Sequence, residues 1–406
     1  MPLTARPEQP LQAGRPRDVS LDYLRTALTL LVVAHHSSLA YTSWASFNRQ
    51  APLLSTAPIV DGVRWAGFDY AENFNDVFFM SLMFFISGLF VYPVLRRQGS
   101  LGFVRDRLLR LGLPFVVAVA GLMPLAYYAS WQLAGWPEDF GTYYRALAGQ
   151  GFMVGPPWFI WVLLLFDVVA AALLVPLRGL LPAAERLARY GRQQALAAAA
   201  LVFLLATAVY WPLLARYGPT AWTVLVTPPF AFQVSRIGLY ALWFGLGVWV
   251  GAPGLAGGLL APDGSLARHW LGWVAGSLLA YNALWFAPSV PWVQHLPATT
   301  QAVVNALLWV ASCVASCFGG LALFRGLRLT PTPWMDSLSR SAYILYLVHY
   351  VFLTWLQLLA TQWAWPAPAK FGFVFLTTTF LSWLTAQGLI KVHTSAAWQY
   401  VQSFGR

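Results

Sequence analysis

Four ionisable residues, Asp22, Arg25, His35 and His36, sit in the otherwise largely apolar stretch 21–43. A helix turns about 100° and rises about 1.5 Å per residue. Arg25 and His36, eleven residues apart, would then point within about 20° of each other, about 16 Å apart along the axis. Asp22 falls about 40° from the direction of His36, and Thr29 shares that face. His35 lies about 80° from the direction of Arg25. Charge placed among apolar residues is expensive and usually faces a cavity or a partner. The stripe Asp22, Arg25, Thr29 and His36 is therefore expected to line a polar cavity open to the cytoplasm. An imidazole titrates near neutrality and suits proton transfer. The competing account has Arg25 snorkel to the interface and pair with Asp22, while the histidines satisfy each other or a backbone carbonyl. It explains His36 less well, because His36 lies about two-thirds of the way along the stretch.

Arg107 and Arg110 stand three apart at the start of the next apolar run but one, in Arg107-Leu108-Leu109-Arg110. Residues at i and i+3 share a helix face, so two guanidinium groups are expected to converge there. Guanidinium forks suit phosphate. A general excess of cytoplasmic positive charge accounts for Arg96 and Arg97, and it does not require this paired spacing. Later, Ser339, Tyr343, Tyr346, His349 and Tyr350 recur at helical spacing. They form either a cavity wall or an interfacial aromatic belt. Asp167 follows Trp158-Phe159-Ile160-Trp161 inside another apolar run and needs a partner that the sequence does not name. Ser87 and Gly88, in Phe84-Phe85-Ile86-Ser87-Gly88, are the small residues that let helices pack closely. Cys313 and Cys317 share one helix face as small hydrophobes. No metal-ligand spacing, nucleophile elbow, phosphate loop or dinucleotide fingerprint is present.

Hydrophobic residues make up 59% of the 406-residue chain and charged residues only 10%. A soluble domain carries about a quarter charged residues, so lipid must be the solvent. A span needs about 20 mostly apolar residues. About ten such runs are found: 21–43, 74–95, 111–134, 158–177, 194–215, 232–250, 270–287, 301–324, 341–362 and 371–390. The expected fold is an all-α polytopic helix bundle. With a cytoplasmic N-terminus, only Arg49, Arg64, Arg145, Arg216, Arg236 and Lys370 of the 25 Lys and Arg fall outside. The rest fall inside, so both termini are expected in the cytoplasm. The longest outer loops, 44–73 and 135–157, are candidate lids or acceptor-binding surfaces, with ordinary solvent-facing connectors as the alternative. The net charge of +11 is spread through short segments, which argues for membrane orientation and against nucleic acid. No cleavable signal peptide is evident in the first 20 residues.

Together these features resemble the acyltransferase family 3 membrane proteins, from Leu21 to about Ile390. Leu21-Asp22-Tyr23-Leu24-Arg25, ten residues and then His36, looks like that family's arginine-to-histidine signature. Phe84-Phe85-Ile86-Ser87-Gly88 resembles its second-helix pattern, and Arg107-x-x-Arg110 its arginine pair. Trp158-Phe159 and Tyr343-x-x-Tyr346-x-x-His349 resemble further elements. The stretch from Arg17-Asp18 to Tyr41 is similar to the branch that includes glucan-modifying succinyltransferases. The resemblance implies transfer of an acetyl, succinyl or similar group from cytoplasmic acyl-coenzyme A to a hydroxyl of an extracytoplasmic glycan, lipid or small acceptor. It implies His36 as catalytic base, and Arg25, Arg107 and Arg110 as holders of the donor's phosphates or thioester. Asp22 would orient Arg25, and Tyr343, Tyr346 and His349 would wall the substrate cavity. No metal is implied. The expected layout is a polar cytoplasmic segment 1–20, an acyltransferase-like membrane domain 21–390 and a short cytoplasmic tail 391–406, in the bacterial inner membrane. No appended soluble domain is recognised, so acceptor handling is expected to rest on the membrane domain and its loops. A transporter or flippase for a lipid or glycan is the alternative class, and would show broken helices in matched halves of the chain.

Overall fold

A computed structural model describes residues 19–177, 181–225, 228–255 and 257–403. Most of the expected N-terminal segment, Arg178 and Arg406 lie outside the described residues. Helix dominates the described residues. The main helices are α1 (Val19–Leu39), α2 (Ala66–Leu89), α3 (Val91–Ala134), α4 (Phe140–Gln150), α5 (Trp158–Leu177) and α6 (Leu181–Gln193). They continue with α7 (Ala195–Tyr217), α8 (Val234–Gly251), α9 (Trp270–Phe286), α10 (Ala298–Gly326), α11 (Pro333–Ala360) and α12 (Ala367–Ser403). One antiparallel hairpin pairs β1 (Trp222–Val224) with β2 (Ala231–Gln233).

A helix lies over each apolar run read from the sequence. Among the described residues, 6 helices are long and apolar enough to cross a membrane on those grounds alone: α3, α7, α8, α10, α11 and most of α12. The helices that fall short include α1 and α2, and the packing gives the reason. From Val19 through Thr42 no side chain is exposed, because α1 is surrounded by α2, α10, α11 and α12. In α2, Val77 through Ile86 are all buried. A helix wrapped by other helices meets protein on all sides and can carry polar groups that lipid would reject.

Two contacts fix these central helices. Gly88 of α2 meets Gly247 of α8, and Leu89 meets Gly251, so closely that backbones touch. A Cβ on Gly247 would stand 2.1 Å from the Phe85 carbonyl oxygen, and one on Gly251 2.0 Å from that of Leu89. The small residues near Ser87 and Gly88 are thus a packing seam, as the sequence suggests. Meanwhile α1 and α11 run parallel and in step. The Tyr23 hydroxyl donates to Asp336 Oδ1 at 2.9 Å, and thirteen residues further along both helices His36 stacks on His349. Gln357 Nε2 then donates to the His36 and Ser37 carbonyls at 3.1 and 3.3 Å.

The loops gather at two ends. At one end, Lys370 Nζ pairs with Asp61 Oδ2 at 2.7 Å, with side chains 1% and 3% exposed. Arg64 there donates to the Thr42, Ala45 and Asp61 carbonyls, and Trp136 Nε1 to that of Arg49. At the other end, Arg192 pairs with Asp263, and Arg325 Nε donates to the Leu260 carbonyl at 2.6 Å. One expectation is corrected. Arg236 and Lys370, counted in the outer segments, are buried and neutralised by Asp76 and Asp61. Each is an anchor inside the bundle, because burying a cation requires a paired anion. The helix α12 also continues to Ser403, through most of the segment expected as a tail.

Candidate active site

The polar face of α1 exists, but it is not a continuous groove. The half-buried residues Asp22, Arg25, His36 and Leu39 fall within about 100° of the helix circumference. Between them, Thr29 and Val32 are buried. The Thr29 hydroxyl donates to the Arg25 carbonyl at 3.0 Å, so α1 itself uses it. The Arg25 guanidinium lies over the Phe90 ring, 5.4 Å from its centroid.

His36 stands at the centre of an aromatic cluster. Its ring stacks on His349, with centroids 5.5 Å apart and planes 20° apart. Tyr350 meets it edge-on at 5.2 Å and His35 at 5.4 Å. The Nδ1 of His36 is buried and has no hydrogen-bond partner. His349 is fully buried, and its Nδ1 lies 2.7 Å from the Tyr346 carbonyl oxygen. A carbonyl only accepts, so Nδ1 carries the hydrogen and the neutral ring keeps its lone pair on Nε2. That Nε2 is also buried without a partner. Two stacked imidazoles therefore each hold an unused ring nitrogen inside the protein. Buried polar atoms are seldom left unpaired, and those that are often mark chemistry.

His35 is different. It turns to α2, where its Nε2 lies 3.3 Å from Glu72 Oε1 and its ring packs 5.0 Å from Phe79. It belongs to a second polar group made by Glu72, Asp76 and Arg236. The Arg236 guanidinium grips Asp76 with both forks, at 2.7 and 2.6 Å, and lies over Trp309. Glu72 and Asp76 lie one turn apart, a spacing visible in the sequence, but the apolar run begins only at residue 74, so hydropathy alone does not include Glu72 in the helix.

The segment 151–157 closes the cluster from the loop end that holds Asp61 and Lys370. The Tyr346 hydroxyl donates to the Pro156 carbonyl. Gly155 has φ +52°, and a Cβ there would come within 2.6 Å of the Met123 sulfur. Only glycine fits so close under a positive φ. Tyr127 packs against Tyr350 with centroids 6.0 Å apart. Of the expected cavity residues, the structure brings Tyr346 and His349 to His36. Tyr343 sits farther down α11 and donates to the Arg110 carbonyl at 2.8 Å.

Arg107 and Arg110 do not converge as their spacing suggests. Arg107 Nε lies 3.1 Å from Asp167 Oδ2, with the Arg side chain 20% and the Asp side chain 2% exposed. The partner that Asp167 needs is thus Arg107. Arg110 pairs with Asp106 at 2.7 Å, and its side chain is 72% exposed. The physical reason is a π-helical turn over Leu108–Gly112. Its wider winding replaces the period that would bring i and i+3 together. Among the described residues no three His, Cys, Asp or Glu side chains come together as a metal site.

The family model described as an acyltransferase domain matches residues 18–387. No curated protein and no solved structure matches the chain. The matched span takes in α1, the arginine pair and the whole histidine cluster. The chain belongs to acyltransferase family 3, and it is a membrane acyltransferase.

Proposed function

We propose that this enzyme takes an acetyl, succinyl or similar group from cytoplasmic acyl-coenzyme A and passes it to a hydroxyl of an extracytoplasmic glycan, lipid or small molecule. The observation that carries the proposal is the stacked His36–His349 pair with its two unpartnered ring nitrogens. In this reading the chain crosses a bacterial inner membrane ten times, with both termini in the cytoplasm. The end with Asp61 and Lys370 is then the outer one. His36 is thirteen residues, or about 20 Å, from the level of Tyr23 at the inner end, and about 5 Å from the outer end of α1. The reacting centre lies close to the acceptor's side. The donor must therefore send its acyl group inward on a long arm while its phosphates stay in the cytoplasm.

The chemistry balances without a covalent enzyme intermediate. The free nitrogen of His36 takes the acceptor's hydroxyl proton as the oxygen attacks the thioester carbonyl. The carbon–sulfur bond breaks, the new ester leaves, and the thiolate receives the proton. His349 stands against His36 and can hold or relay that proton. Arg110, exposed on α3, would meet a donor phosphate. Arg107 can do so only by sharing itself with Asp167. Arg25 would orient the donor arm below His36, with Asp22 beside it. Because Thr29 and Val32 close the face between Arg25 and His36, donor entry requires a local opening there.

The test uses purified protein, radiolabelled acetyl-coenzyme A and lipid-linked glycan extract. His36→Ala should abolish transfer, by at least about 10²-fold, while melting as the parent does. His35→Ala should lose less, since its ring faces Glu72. Full activity in the His36 variant would defeat the mechanism. Thermal stabilisation by coenzyme A separates this function from a transporter, which has no use for the donor.

A further inference from the structure

Four ionisable side chains beside His36 take no part in the transfer step: His35, Glu72, Asp76 and Arg236. His35 links them to the reacting centre. Its ring meets His36 edge-on at 5.4 Å, and its Nε2 lies 3.3 Å from Glu72 Oε1. The group stands towards the loop end that holds Asp61 and Lys370. There the Ser43 backbone N–H donates to Asp69 Oδ1 at 2.8 Å, which ties the start of α2 to the end of α1. Glu72 follows Asp69 by one turn and Asp76 follows Glu72 by another. Arg236 comes from the first turn of α8.

The group does not satisfy itself. Arg236 donates once to each Asp76 carboxylate oxygen, at 2.7 and 2.6 Å. Each such oxygen can accept twice, and the Asp76 side chain is 35% exposed, so acceptor capacity stays open to a ligand. Val77 through Ile86, which follow it on α2, are all buried. A carboxylate left open among such neighbours belongs to a watery recess, since lipid would reject it. His35 adds a buried Nδ1 without a partner on a side chain only 8% exposed. Charge narrows the ligand further. Two carboxylates meet one fixed cation, and His35 can carry at most one proton. The group is therefore neutral or negative and never positive, so it repels an anion. Open carboxylate lone pairs call for several O–H donors.

We propose that Glu72 and Asp76 form the acceptor subsite, and that the acceptor offers them the neighbouring hydroxyls of an uncharged polyol such as a sugar ring. The inference rests on the function proposed above, with His36 as base and this end of the bundle outermost. One hydroxyl of the acceptor then faces His36, and others donate to Asp76 and Glu72 across the His35 ring. Arg236 holds the Asp76 carboxylate in place, and it is itself fixed over Trp309 at 5.0 Å. The pair therefore meets the ligand already oriented. Phosphorylated or acidic glycans are rejected by the same carboxylates that orient a neutral one.

The experiment gives the purified full chain radiolabelled acetyl-coenzyme A and a glycan extract separated by ion exchange into uncharged, anionic and cationic fractions. Label should enter the uncharged fraction at least about tenfold faster, per mole of glycan, than either charged one. Glu72→Gln keeps the shape and removes the charge. It should raise KM for the uncharged fraction by at least about tenfold, the worth of a hydrogen bond to a charged group. Donor KM and thermal stabilisation by coenzyme A should stay as in the parent. If Glu72 only held His35 in place, kcat would fall and acceptor KM would not move, and that result would overturn the subsite. Equal or faster labelling of a charged fraction by the parent would overturn it too, while leaving the histidine mechanism standing. A parent that labels no fraction overturns the proposed function and this inference with it. If Glu72→Gln fails to fold, the parent's choice among the fractions decides.

Discussion

At the scale of single residues, partners decide what a polar group can do. His35 and His36 are neighbours in sequence, yet one faces a carboxylate and the other an imidazole. His349 emerges as a functional candidate beyond a cavity wall, because its tautomer is set by the Tyr346 carbonyl and its Nε2 is unused. If His349 relays the proton, His349→Ala should lower kcat by at least about tenfold and leave KM for the donor near that of the parent. A rise in donor KM alone would make it a wall residue. The arginine pair separates in the same way. Arg107→Ala strands the buried Asp167 and should cost about 3–5 kcal/mol of stability. Adding Asp167→Ala should recover most of that in a melting experiment. Arg110→Ala breaks only an exposed pair and should change stability by less than about 1 kcal/mol. If Arg110 holds donor phosphate, coenzyme A affinity should nevertheless fall, and fall more at low salt.

At the scale of elements, the geometry of α1, α2, α8 and α11 sets the site. The in-step pairing of α1 with α11 carries His36 onto His349, and a slip of either helix by one residue would turn one ring away by about 100°. The backbone contact of α2 with α8 holds the opposite wall. Gly247→Leu would drive a side chain into the Phe85 carbonyl and should destabilise the bundle by about 1–3 kcal/mol or more. Gly245→Leu, at a position with nothing near its Cβ direction, serves as the control in the same denaturation assay. Equal effects from the two would mean that the seam does not hold the helices. The sequence identified Ser87 and Gly88 as packing residues, but it could not name their counterparts on α8. Close approach depends on which helices become neighbours.

At the scale of the whole molecule, polarity runs inside out. The charged and histidine-bearing helices are central, and the more apolar ones surround them. The buried pair Asp61–Lys370 belongs to the loop end opposite Asp263, and Asp76–Arg236 lies inside the bundle. The proposed orientation rests on the count of Lys and Arg in the loops. Reporter fusions test it directly. An alkaline phosphatase joined after Arg406 should be inactive in bacterial cells, and one inserted after Gln50 should be active. The reverse pattern would place the donor on the wrong side of the membrane.

Composition and periodicity alone determined that the chain is an all-α membrane protein, because too few charges remain to clothe a soluble surface. They also located Arg25 and His36 on one helical face, since that geometry is local and follows from the pitch of a single helix. Only the tertiary structure decided that His349 meets His36, that Arg107 answers Asp167, and that Glu72 and Arg236 join a polar group beside the site. Those are contacts between segments far apart in the chain, set by which helices pack together and in what register. The π turn after Arg107 shows where even local inference stops. Its wider winding breaks the period on which the arginine spacing depended, and no residue type in Leu108-Leu109-Arg110-Leu111-Gly112 announces it.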